Sequence, residues 1–126
     1  MNLHTIGLNH KSAPVEIREK LAFNASSIPI ALSSFTQSFS SSEAVILSTC
    51  NRVEIYGTSP DDCLNKESLL DFFSAFHGLP KETFSEHMYH YQNLDAVKHL
   101  FFVTSSLDSL VVGESQILSQ VKEAYM

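Results

Sequence analysis

The sequence predicts an α+β domain: a ferredoxin-like split βαβ sandwich with added helices, ending in the start of a long helix. Three observations point there. The apolar patterns follow one another as β-α-α-β-β-α-β, two β-branched runs bracket a short turn, and the last stretch carries apolar residues at helical spacing. With 126 residues, 44% of them apolar and nine of them Phe, the chain can fill one core. Charged residues make up only 17%, with four Gly and four Pro, which excludes collagen-like, low-complexity and intrinsically disordered classes.

Leu3–Asn9 reads as a strand running into the loop Asn9-His10-Lys11-Ser12-Ala13-Pro14, where Pro14 holds Ala13 in extended geometry. After Pro14, the apolar residues Val15, Ile17, Leu21 and Phe23 alternate with Glu16, Arg18, Glu19 and Lys20 as in a short amphipathic helix. Ser26 or Ser27 is expected to cap a second helix carrying Ile28, Ile30, Ala31, Leu32 and Phe35, which ends in the Ser-rich stretch Ser38–Ser42. Ala44–Leu47 and Val53–Tyr56 form a hairpin around Ser48-Thr49-Cys50-Asn51-Arg52, and Asn51 suits its turn because it tolerates the left-handed region.

A helix over Lys66–Phe76 stops at His77-Gly78-Leu79-Pro80, and a short strand lies near His87–Gln92. Asn93 is expected to cap a helix through Leu94, Val97, Leu100 and Phe101. Beyond Gly113, residues Ile117, Leu118, Val121, Ala124 and Tyr125 keep helical spacing up to Met126 without a breaker, from which a longer polypeptide is expected. The organisation read from this is a domain over residues 1–110, with residues 111–126 starting a linking helix.

The formal net charge is −6, and only the stretch from Lys11 to Lys20 could make a basic patch, so charge alone does not suggest a nucleic-acid partner. No apolar run reaches the length that crosses a bilayer, and no signal-like start is present, which reads as a cytoplasmic protein. Cys50 and Cys63 form neither a CxxC pair nor a zinc-ligand set, and read as free thiols in a reducing compartment.

Cys50, at a strand end beside Arg52, is the leading nucleophile if that position is exposed and electropositive; buried, it would be a small hydrophobe. Cys63 follows Asp61-Asp62, whose carboxylates oppose a thiolate. None of the six histidines falls in an HxH or HExxH pattern, so no metal site is expected. Asp95 and His99 stand four apart on one helix, a spacing at which the carboxylate could orient the imidazole for proton transfer; the plain alternative is a surface His. The polar groups at Asp108-Ser109 and Gly113-Glu114-Ser115-Gln116 suit a helix start as well as a binding site. No phosphate-cradling glycine motif is present.

Four segments carry a family resemblance: Gly7–Val15, Leu47–Tyr56 with Thr49-Cys50-Asn51-Arg52 at its centre, Ala96–Phe101, and Leu107–Lys122. In these the chain resembles the N-terminal catalytic domain of glutamyl-tRNA reductase, the enzyme that opens the five-carbon route to tetrapyrroles. The resemblance implies that Cys50 forms a glutamyl thioester from glutamyl-tRNA, which NADPH, bound by a separate domain, reduces to glutamate-1-semialdehyde. It implies a catalytic His99 and substrate contacts at Thr49, Asn51, Arg52, Ser109, Glu114, Ser115, Gln116 and Gln120, with Arg52 meeting the glutamate side-chain carboxylate. It further implies no metal and no membrane, a homodimer formed through a C-terminal part, and hand-off to glutamate-1-semialdehyde aminomutase. Ser106, Ser115 and Ser119 depart from the family's usual Gly, Pro and Gly, which bears on the shape of the glutamate pocket. Two other classes compete with this reading. A cysteine hydrolase would use Cys50 without a hydride donor, and a non-enzymatic interaction module would bury it.

Overall fold

The opening apolar stretch forms β1 (Asn2–Asn9) in the computed structural model of the chain, which describes residues 2–105. There follow α1 (Val15–Leu21), α2 (Ser27–Ser38), β2 (Glu43–Ser48), β3 (Arg52–Ser59), α3 (Lys66–His77), two 3₁₀ turns at Lys81–Thr83 and Ser85–His87, β4 (Tyr89–Gln92) and α4 (Leu94–Ser105). The four strands make one sheet in the order β2-β3-β1-β4, antiparallel at every pairing. This is the split βαβ sandwich expected from the sequence: β1 runs between β3 and β4 and is hydrogen-bonded to both.

Alternation along the strands gives the sheet two unlike faces. On one, Ile6, Ile55 and Ile46 stand side by side in register, with Leu8 and Val53 next to them. Leu21, Phe23, Phe35, Phe39, Phe72 and Phe73 pack on these residues from the α1–α3 side, and Phe84 joins them. Each fully buried side chain of this kind is worth about 1.5–3 kcal/mol relative to exposure, so this face holds most of the stabilising burial. The other face carries a small cluster of Leu47, Tyr56 and Val103, with α4 lying over β1 and β4. Among its remaining residues are the buried polar side chains Thr5, Arg52 and Glu54.

Several local expectations are corrected. Neither Ser26 nor Ser27 caps α2 with its side chain. Asn24 does so, its Oδ1 accepting from the Ser26 and Ser27 N–H groups at 3.1 and 2.9 Å while the Ser27 hydroxyl accepts from the Asn24 N–H. The amide oxygen reaches the orphan donors from further back in the chain. Asn93 precedes α4 but turns its side chain to β1: it adopts φ 53°, and its Oδ1 accepts from Leu3 N–H at 3.0 Å. Asn51 is not left-handed, since the only non-glycine residues described with positive φ are Ser41 and Asn93. The strand expected near His87 begins at Tyr89, because Ser85–His87 closes a 3₁₀ turn first.

The stop after α3 is as expected. Gly78 takes φ 65° as a left-handed C-cap, while Asn65 and Ser68 form a reciprocal capping box at the other end. Residues 106–126, and with them the expected linking helix over 111–126, lie outside the described residues.

Candidate active site

The β2–β3 hairpin places its tip at Thr49-Cys50-Asn51. The last ladder pair is Ser48 with Val53, and the Thr49 N–H then donates to the Arg52 carbonyl at 2.8 Å. The turn is set by the Thr49 hydroxyl, whose Oγ1 accepts from the Asn51 and Arg52 N–H groups at 3.2 and 3.3 Å. A side-chain acceptor thus does what a left-handed Asn51 was expected to do. Cys50 is exposed at this tip. That removes the reading of Cys50 as a small buried hydrophobe.

Two contacts from outside the hairpin hold the tip. Arg18 of α1 donates through Nε to the Cys50 carbonyl at 3.3 Å and through Nη1 to the Ala13 carbonyl at 2.7 Å. The Ser48 hydroxyl accepts from the Phe23 N–H at 2.9 Å. Arg18 therefore ties the cysteine backbone to the first helix, a contact for which sequence spacing gave no signal. Cys63 lies beyond the far end of β3, its Sγ 3.2 Å from the Ser59 hydroxyl. The two thiols stand at opposite ends of an eight-residue strand.

Arg52 follows the tip and is buried, with 7% of its surface exposed. Its Nη1 donates to Glu54 Oε2 at 3.3 Å, while its buried Nε has no partner. Glu54, two residues on and on the same face of β3, has no exposed surface at all. Its carboxylate gathers four donors: Tyr56 hydroxyl on Oε1 at 3.0 Å, and Arg52 Nη1, Tyr89 hydroxyl at 2.6 Å and His99 Nε2 at 2.5 Å on Oε2. Burial alone would push the Glu54 carboxyl up. The His99 hydrogen bond, the Arg52 charge and the Tyr89 hydroxyl outweigh it and hold the carboxyl below its ordinary range. An ionised carboxylate only accepts, so His99 presents a proton at Nε2. Burial and then the Glu54 charge push the Tyr56 and Tyr89 phenols upward, which keeps both as neutral donors.

His99 comes from α4 and packs against the rings of Tyr89 and Tyr91, with centroids 5.2 and 4.8 Å away, while the two tyrosine rings also touch each other at 5.4 Å. The carboxylate expected to orient it was Asp95, four residues earlier. The structure corrects this: Asp95 is exposed, whereas His99 lies on the helix side that buries Ala96 and Val103, where Glu54 waits. Glu54 is the site residue that sequence reasoning missed. Its signal was present in Arg52-x-Glu54-x-Tyr56, a period of two that puts three polar side chains on one face of an otherwise apolar strand.

Of the residues expected to contact substrate, Thr49, Asn51 and Arg52 surround the tip, and Ser109, Glu114, Ser115, Gln116 and Gln120 lie outside the described residues. Among the described residues no group of three or more His, Cys, Asp or Glu side chains could hold a metal ion. The described glycines sit within β1, within β3 and after α3. Among the described residues none of them opens a helix N-terminus in the way that cradles a pyrophosphate.

Comparison with known proteins follows the same lines. Residues 6–126 match the family model described as glutamyl-tRNAGlu reductase, N-terminal domain. The glutamyl-tRNA reductase of Thermodesulfovibrio yellowstonii is 50% identical over 132 residues, covering 99% of this chain and 31% of that protein. That of Citrifermentans bemidjiense is 46% identical over 125 residues, covering 99% and 29%. A solved structure, the glutamyl-tRNA reductase from Methanopyrus kandleri, superposes with a TM-score of 0.69 at 36% identity over 98% of this chain and 27% of that one. The chain thus spans about three-tenths of the length of the curated relatives it matches. Agreement along nearly the whole sequence and in the fold shows that the chain belongs to the glutamyl-tRNA reductase N-terminal domain family.

Proposed function

We propose that this chain is the catalytic N-terminal domain of a glutamyl-tRNA reductase, and that Cys50 is its nucleophile. The Cys50 thiolate attacks the ester carbonyl of glutamyl-tRNA, the C–S bond forms, the ester C–O bond breaks, and the ribose oxygen leaves with a proton. The product is a glutamyl thioester on Cys50 and free tRNA. One observation carries this reading: Cys50 is exposed at a tip tied down by Arg18, two residues from a buried guanidinium that keeps Nε unpartnered. That arrangement leaves the sulfur open to an acyl group and sets a held guanidinium two residues away as the partner assigned to its carboxylate.

Thr49, Asn51, Arg52, Ser109, Glu114, Ser115, Gln116 and Gln120 are assigned to the substrate and His99 to proton transfer. NADPH would supply the hydride that converts the thioester to glutamate-1-semialdehyde, and no residue described here is assigned to hold it. The same reading carries the domain division at residues 110 and 111, a cytoplasmic location, a role in tetrapyrrole biosynthesis, homodimerisation outside this domain and hand-off to the aminomutase. Among the described residues no helix is long and apolar enough to cross a membrane.

The test is mass spectrometry of the full-length protein after incubation with glutamyl-tRNA without NADPH. A glutamyl adduct is expected on Cys50, lost in Cys50→Ser and retained in Cys63→Ser, since Cys63 lies at the other end of β3. An adduct that survives Cys50→Ser would sink the assignment.

A further inference from the structure

Glu54 is the one fully buried carboxylate among the described residues, and the thioester chemistry above makes no use of it. Its burial is not a packing requirement. A charged group on a sheet face costs several kcal/mol to desolvate, and an apolar side chain of similar volume commonly serves stability as well or better. Three elements nevertheless aim donors at it: Arg52 and Tyr56 from β3, Tyr89 from β4 and His99 from α4. The neighbouring strand also makes room. Gly7 is the register partner of Glu54 on β1, and a Cβ there would meet the Val53 carbonyl oxygen and lie 2.8 Å from Glu54 Cγ. The missing side chain is what lets Glu54 lie flat across β1 toward β4 and α4. Gly7 is therefore set by a close approach between strands.

We propose that Glu54 is a positioning residue for the acylation of Cys50, fixing at once the Arg52 guanidinium that meets the substrate carboxylate and the His99 imidazole that moves the proton. The inference rests on the assignment of Cys50, Arg52 and His99 made above. A single carboxylate joining the two groups aligns substrate recognition and proton transfer, so that a displacement of either disturbs both. Its oxygens touch neither the thiol nor the acyl group in this scheme; it acts through its two partners.

The experiment uses the full-length protein and measures single-turnover formation of the Cys50 adduct in Glu54→Gln, Glu54→Asp, His99→Asn and the double variant Glu54→Gln/His99→Asn. Glu54→Gln removes the charge. Glu54→Asp keeps the charge that compensates buried Arg52, and so the fold, while withdrawing the oxygens by one methylene from His99. Both are expected to acylate at least tenfold more slowly than wild type, and Glu54→Gln is expected to slow His99→Asn by a smaller factor than it slows wild type, because the part of its effect that passes through His99 is already lost while the part that passes through Arg52 is not. A fold defect without positioning would instead multiply the two single losses. Nitrogen-15 spectra of the imidazoles supply a readout independent of turnover: His99 Nε2 carries the bonded proton in wild type and shares it with Nδ1 in Glu54→Asp. Acylation within twofold of wild type in both Glu54 variants, multiplied losses in the double variant, or an unchanged His99 spectrum would each overturn the proposal. If wild type forms no adduct, the acylation reading itself fails, and the imidazole spectra still decide whether Glu54 positions His99.

Discussion

Arg52 and Glu54 share one face of β3, and the division of the guanidinium between them decides what Arg52 can do for a substrate. Nη1 is held by Glu54 Oε2 while Nε is buried without a partner, so the plane of the fork is fixed and one edge remains unsatisfied. A planar guanidinium fork bonds a carboxylate bidentately and holds a neutral amide less well. Lys keeps the charge but loses the fork. Arg52→Lys is therefore expected to lower the acylation rate with glutamyl-tRNA at least tenfold, about 1.4 kcal/mol in barrier, and to narrow the preference over glutaminyl-tRNA. Side-by-side acylation rates for the two substrates measure it, and a variant as fast and as selective as wild type would remove Arg52 as the carboxylate contact. At this scale local spacing singled out Cys50 and His99 as candidates, and the family resemblance added Arg52 as a substrate contact. The sequence hid the Glu54 link, because a bond between positions 54 and 99 depends on how α4 lies on the sheet and not on any periodicity along the chain.

The strands and helices were legible as elements because β2 is a short β-branched apolar run, β3 alternates polar and apolar residues over Arg52–Tyr56, and α3 and α4 carry apolar residues at a period near 3.6. Their junctions were less so. Asn24 and Asn93 each use a side-chain amide in a way that composition cannot rank, one capping a helix and the other stitching α4 to β1. The β1–β4 edge carries a second feature that only pairing reveals, since His4 Nδ1 lies 2.9 Å from His90 Nε2 with the rings stacked. Burial holds the His4 imidazole below its usual range; burial, then the His4 and Lys66 charges, do the same to His90. A folded-state value below the unfolded one, about 6.5, means that the unfolded chain takes up protons first as pH falls. The stability contribution is thus present above about pH 6.5 and lost on acidification below it. Urea denaturation of wild type is expected to show lower stability at pH 5.5 than at pH 7.5, with a smaller difference in His4→Gln. His77, also lowered by burial, accounts for a remainder in the variant. An equal pH difference in both proteins would show that the pair does not titrate in this way.

Across the whole molecule, one sheet separates two tasks. The face toward α1–α3 is a phenylalanine-rich core, whereas the face toward α4 carries the Glu54 network and leads to the Cys50 tip. Ile55 and Glu54 are neighbours in sequence on opposite sides of that sheet, with Ile55 stacked between Ile6 and Ile46 in the core. Removing one methyl from Ile55 should act through packing alone: Ile55→Val is expected to cost about 0.5–1.5 kcal/mol of stability. The same change should leave the acylation rate constant of the folded protein within twofold of wild type, because β3 keeps its ladder to β1 and β2 and Glu54 keeps its four donors. Glu54→Gln should do the reverse in the rate, slowing it at least tenfold. Urea denaturation gives the first quantity, and the rate constant of adduct formation, read separately from its amplitude, gives the second. If Ile55→Val slows acylation as much as Glu54→Gln does, the two faces are mechanically coupled through β3, and the positions of Arg52 and His99 depend on core packing as well as on Glu54.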